Sequence, residues 1–230
     1  RTTNGIAWTK ASQPASTQTF RGIAENGSQL IAVGTEGLAM RSADEGITWS
    51  SITIPEMIEG KAVAWFANKW IVIGIDSADT NSPLKVSHST TGTSWTKGGS
   101  IGMASNSLLM PTLVTGHGRL VCASNYVPVT TTNGTTWSAM APIQTSGGTL
   151  MLDMAATPTG WLAVHPSSTG VRTRMWTAPP DGSAWTPIPP YQEQVKGVEN
   201  VGSRIFLLGA DFLSEWVDRD LAIRQNAVPV

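Results

Sequence analysis

Cysteine is almost absent from this chain: Cys122 stands alone, so no internal disulfide framework can brace the fold. It sits in the apolar run Leu120-Val121-Cys122-Ala123 and reads as a small buried hydrophobe. Charge is sparse too. Asp, Glu, Lys and Arg make up 13% of the 230 residues, with a formal net charge of −1. No basic run or stripe offers the footprint that nucleic acid or an anionic membrane requires. No apolar stretch approaches the ~18 residues of a membrane span and no signal peptide is visible, so membrane insertion is not expected. A start at Arg1 rather than Met suits a processed product or an excised domain. Long segments of helical period are missing as well. What is plentiful is Gly, Ser and Thr, together with ten tryptophans, a composition for short strands and tight turns rather than for disorder.

The tryptophans organise the chain. Five segments align on one of them: Asn4-Gly5-Ile6-Ala7-Trp8, Asp44-Glu45-Gly46-Ile47-Thr48-Trp49, Thr91-Gly92-Thr93-Ser94-Trp95, Asn133-Gly134-Thr135-Thr136-Trp137 and Asp181-Gly182-Ser183-Ala184-Trp185. Each has glycine three residues before tryptophan, and successive tryptophans lie 41 to 48 residues apart. That interval suits a propeller blade. Asn-Gly and Asp-Gly tolerate positive φ and predict a two-residue hairpin turn. The tryptophan then opens the outgoing strand and packs between units.

An apolar strand precedes each hairpin: Leu30 to Gly34, Trp70 to Gly74, Leu120 to Ser124, Trp161 to His165 and Ile205 to Gly209. Near-continuous apolar character marks strands covered on both faces. The expected fold is therefore all-β: a five-bladed β-propeller of four-stranded blades in one domain spanning 1–230. Its blades are expected at about 20–54, 58–99, 108–142, 150–189 and 195–218. The last unit lacks a glycine–tryptophan hairpin, whereas residues 1–10 have one and lack the rest. The N-terminal strand is thus expected to complete the C-terminal blade.

Ser42-Ala43-Asp44-Glu45-Gly46-Ile47-Thr48-Trp49 resembles the Asp-box, or bacterial neuraminidase repeat, Ser-x-Asp-x-Gly-x-Thr-Trp. The other copies keep glycine and tryptophan and have lost the serine, the aspartate or both. The wider unit looks like propeller repeats of secreted bacterial proteins and of phage tail or fibre proteins. In such proteins the Asp-box is a structural hairpin, generally on the face away from any active site, so Asp44 and Trp49 are not expected to carry function. A sialidase relationship would imply three arginines on the substrate carboxylate and a tyrosine nucleophile paired with glutamate. Arg21 is the only arginine near the start of an inner strand, Tyr126 and Tyr191 are the only tyrosines, and no Arg-Ile-Pro motif occurs.

Other chemistry is equally thin. His88, His117 and His165 fall in different units without metal-ligand spacing. The loop Asp76-Ser77-Ala78-Asp79-Thr80-Asn81 gathers oxygen ligands but lacks the spacing of an EF-hand. No phosphate-binding loop, nucleophile elbow or dinucleotide fingerprint is present. No cofactor, metal or catalytic residue is expected, and the protein reads as non-enzymatic.

The units differ most in the connections Ile75–Pro83, His165–Arg174 and Lys97–Pro111. Irregular loops on a rigid scaffold are where binding sites concentrate. The expected ligand face carries Asp76, Asp79, Tyr126, His165, Arg172 and Tyr191. The reading that follows is an extracellular or virion binding module, such as a phage tail or fibre part contacting a host glycan. Its alternatives are a structural virion component docking a neighbouring protein and a degenerate glycoside hydrolase.

Overall fold

The computed structural model describes residues 2, 4–76, 82–104, 110–124, 126–143, 153–165, 173–191, 195–201, 204–209 and 213–216. Every regular element among them is a β-strand. The chain packs as two compact units, Arg1–Met110 with Asn133–Trp137, and Pro111–Thr132 with Ser138–Val230.

In the first unit, β1 (Phe20–Glu25), β2 (Leu30–Gly34), β3 (Ala39–Ser42) and β4 (Ser50–Ser51) form one antiparallel meander. A second comprises β5 (Glu59–Phe66), β6 (Lys69–Ile75), β7 (Pro83–Ser89) and β8 (Thr96–Ala104). The second sheet packs its β5 on β1 and β2. Ile31, Val33, Val63, Trp70 and Val72 close over one another there, because β2 and β6 are apolar at successive positions and so present side chains to both faces. Trp65 meets the Trp70 ring edge-on at 5.1 Å, a packing role.

The second unit holds three sheets. These are β9 (Thr112–Gly116), β10 (Arg119–Ala123), β11 (Val129–Thr131) and β12 (Ser138–Ala139); then β13 (Asp153–Thr157), β14 (Gly160–His165), β15 (Thr173–Ala178) and β16 (Thr186–Tyr191); then β17 (Val195–Val201), β18 (Arg204–Gly209) and β19 (Leu213–Trp216). Cores form around Trp161 and Trp176 on one face of the middle sheet and around Leu162, Val164 and Leu207 on the other. These five antiparallel sheets make the fold the expected all-β five-bladed β-propeller.

All five repeat glycines have positive φ, from 67° at Gly182 to 79° at Gly46. The turns are longer than the predicted two residues, running 43–49, 90–95, 132–137 and 179–185 between strands. Side chains replace cross-strand pairing in them. Asp44 Oδ1 accepts from Thr48 N at 2.9 Å and from Ser42 Oγ at 2.8 Å, while its Oδ2 accepts from Thr48 Oγ1 at 2.6 Å. Asn133 Oδ1 does the same work with Thr135 N and Thr136 N, both 2.9 Å away. The glycine also allows close approach to a neighbouring sheet. A Cβ on Gly134 would lie 2.6 Å from Ile71 Cδ1, and one on Gly182 would lie 2.0 Å from Met140 Cε.

The N-terminus departs from expectation. Asn4–Lys10 forms no strand, and the fifth sheet has three strands among the described residues. Asn4 Oδ1 accepts from Ile6 N and Ala7 N, both at 3.0 Å, which curls the segment into a local turn. Trp8 is left 73% exposed, whereas the other four motif tryptophans are half-buried. Further on, Ser12 bridges the first sheet's hairpin, donating to Ile47 O at 3.0 Å and accepting from Trp49 N at 2.9 Å.

Candidate binding cleft

The opening strands of the three sheets in the second unit lie side by side, with β13 packed between β9 and β17. They line a cleft of ≈ 710 Å³, within the size range of small-molecule and peptide sites. Thr112, Thr115, Asp153, Thr157, Glu199 and Asn200 supply its polar groups, and Leu113, Val114, Met154 and Val198 its apolar ones.

Two side chains hold the three strands in register. Asp153, at the start of β13, accepts from Thr112 Oγ1 of β9 at 3.2 Å and from Val198 N of β17 at 2.8 Å. Its own strand contributes Met154 N at 3.0 Å. Burial lifts the Asp153 carboxyl above its ordinary value, against these three hydrogen bonds, which favour the carboxylate. Asn200 of β17 answers with both ends of its amide. It accepts from Ala156 N at 3.0 Å and donates to Ala156 O at 2.8 Å. Those are backbone groups on the edge of β13 that would otherwise face the cleft unpaired. His117, in the β9–β10 turn, places Nε2 3.0 Å from Thr157 O and 2.9 Å from Gly160 O, so this nitrogen carries the proton. Its ring stands edge-on to Trp161 at 5.4 Å.

The cleft therefore offers two carboxylates, threonine hydroxyls and strand edges, with no cation and no aromatic ring among its described lining residues. Asp153 belongs to no motif of the sequence. Its register gave the available signal: the corresponding inner-strand positions, paired with β2, β6 and β18, are Gly22, Ala62 and Gly197, so a carboxylate there breaks the repeat.

The six residues expected to carry a ligand are not gathered in this cleft. Asp79 and Arg172 lie outside the described residues, as do most of the connections Ile75–Pro83 and His165–Arg174, whereas Lys97–Ala104 of the third connection belongs to strand β8. Asp76 is in the first unit, 3.5 Å from the Lys97 ammonium. Tyr126 is half-buried and its carbonyl accepts from Ile143 N at 2.7 Å. His165 ends β14 and is buried, with its ring 6.4 Å from that of Trp176. Tyr191 ends β16 opposite Thr173. Among the described residues no group of three His, Cys, Asp or Glu is placed to hold a metal ion.

No protein family matches the sequence, and no curated protein matches it. Solved structures do resemble it in fold. YCF48 bound to D1 peptide is 18% identical over 94% of this chain and 69% of its own, with a TM-score of 0.65. YCF48 from Cyanidioschyzon merolae is 17% identical over 90% of this chain and 71% of its own, at 0.61. A GH74 enzyme from Niastella koreensis is 19% identical and is matched over 97% of this chain but only 33% of its own, at 0.62. At these identities the likeness is one of fold.

Proposed function

We propose that this propeller is a non-catalytic module that holds an extended segment of a partner protein in the β9–β13–β17 cleft. The observation that carries this reading is the lining: hydroxyls, carboxylates and strand edges, without an aromatic ring among its described residues. Extended peptides are recognised through backbone hydrogen bonds to such groups. Sugars call for stacking platforms, which the described lining of this cleft lacks. A structurally similar propeller, YCF48, has been seen bound to a peptide. Asp153 and Glu199 favour a segment that is neutral or basic. The setting expected from the sequence, outside a cell or on a virion, is kept as part of the proposal.

A second reading, glycoside hydrolysis, has one observation in its favour: a half-buried carboxyl of raised pKa shares a cleft with a second carboxylate. Selection from a linear-peptide library and from a glycan array tests both. The first reading expects linear peptides that bind the intact chain and are lost on Thr115→Trp, which fills the cleft mouth. Glycan-only binding, with aryl-glycoside turnover lost on Asp153→Asn, would replace it with the second.

A further inference from the structure

Three of the five inner strands are interrupted by one extra residue at a matching place. The register slips between Phe20 and Gly22, between Gly60 and Ala62, and between Val195 and Gly197. The bulged residue is basic each time: Arg21, Lys61 and Lys196. Bulges re-aim a side chain out of the regular alternation and often serve a site.

In the first unit two of these cations converge on one carboxylate. Arg21 Nε stands 3.2 Å from Glu59 Oε1, and Lys61 Nζ stands 3.4 Å from Glu59 Oε2. The Lys61 side chain is fully buried, and its Nζ finds no hydrogen-bond acceptor among the described residues. A buried ammonium is costly unless its charge is compensated, so Lys61 draws on Glu59 continuously. Glu59 therefore compensates Arg21 only in part. The Arg21 side chain is 38% exposed and engages Glu59 through Nε, so its Nη groups are not used in that pair. Arg21 also lines a hollow of ≈ 450 Å³ with Gln13, Phe20 and Trp49, room for the body of an organic ligand.

We propose that this cluster is an oxyanion subsite, with Arg21 as the contacting group and buried Lys61 as the positioning residue acting through Glu59. The ligand chemistry is a carboxylate or a phosphate, matched by the planar guanidinium fork. The inference is independent of the second-unit cleft.

The full chain is titrated with inorganic phosphate and, separately, with acetate, following the amide resonances of Gly22 and Gly60. A saturable shift is expected that disappears in Arg21→Gln. Because Arg21 and Glu59 are partly exposed and solvent screens them, Lys61→Met is expected to weaken binding about fivefold and Glu59→Gln to tighten it about fivefold. The anion that saturates at lower concentration distinguishes phosphate from carboxylate as the ligand. No saturable shift with either anion, or weaker binding in Glu59→Gln, overturns the proposal. Arg21→Gln alters a partly exposed side chain and leaves the Lys61–Glu59 pair intact, so it decides the matter even if Lys61→Met or Glu59→Gln fails to fold.

Discussion

The carboxylate of Asp153 accepts the backbone N–H of Val198 at 2.8 Å, tying the first strand of one sheet to the first strand of the next. With Thr112 on the other side, one side chain spans three strands and lines the candidate cleft. Asp153→Ala leaves the Val198 N–H without its acceptor. A loss of about 1–3 kcal/mol is expected, measured by denaturant unfolding, with a smaller loss for Asp153→Asn, which keeps one carbonyl acceptor.

The pH dependence of that substitution has a defined sign. Burial raises the folded carboxyl above its ordinary value of 3.8, so folding favours the protonated form. The stability that wild type holds over Asp153→Asn is therefore largest at low pH. It shrinks as pH rises from 3.8 through the raised folded value. Unfolding midpoints across pH 3 to about 7 check this.

Asp44 runs the opposite way. Hydrogen bonds from Thr48 and Ser42 hold its carboxyl at about 2, below the ordinary 3.8. Its contribution is complete above 3.8 and is lost as pH falls towards about 2. Asp44→Ala destabilises at neutral pH, and the difference from wild type closes in that acid window.

Gly134 and Gly5 have nearly the same φ, 77° and 71°, and different surroundings. An added Cβ meets Ile71 at Gly134 and nothing within 4 Å at Gly5. Both alanine variants bear the left-handed strain of about 1–2 kcal/mol. Gly134→Ala is expected to cost more, and Ile71→Val is expected to recover part of the excess in a double-mutant cycle.

Cys122 is fully buried, and burial pushes its thiol up to about 12. The native protein is expected to resist thiol reagents, with labelling that tracks unfolding. Rapid labelling of the folded chain would show that the β10 strand opens locally.

Much of the fold was legible because its signals are local. A glycine three residues before tryptophan marks four of the hairpins, and an apolar strand such as Trp70–Gly74 marks each sheet centre. Turn length was not legible, since it depends on what the Asp44 and Asn133 side chains collect from the following backbone. The N-terminal segment misled for a similar reason: Asn4 satisfies Ile6 and Ala7 locally, with no strand formed. The cleft was hidden for a different one. Asp153 acquires its meaning from Thr112 and Val198, each more than forty residues away in the chain. The basic bulges escaped because a one-residue slip in pairing leaves no mark on an alternation pattern.

The cleft itself is best tested by mapping a contact. A linear peptide selected on the intact chain is given a photoreactive group and cross-linked, and the attached residues are read by mass spectrometry. Attachment is expected at Leu113–Thr115 and Glu199, lost when Thr115→Trp fills the cleft. Attachment at the hairpins around Trp49 or Trp95, unchanged by Thr115→Trp, would contradict it.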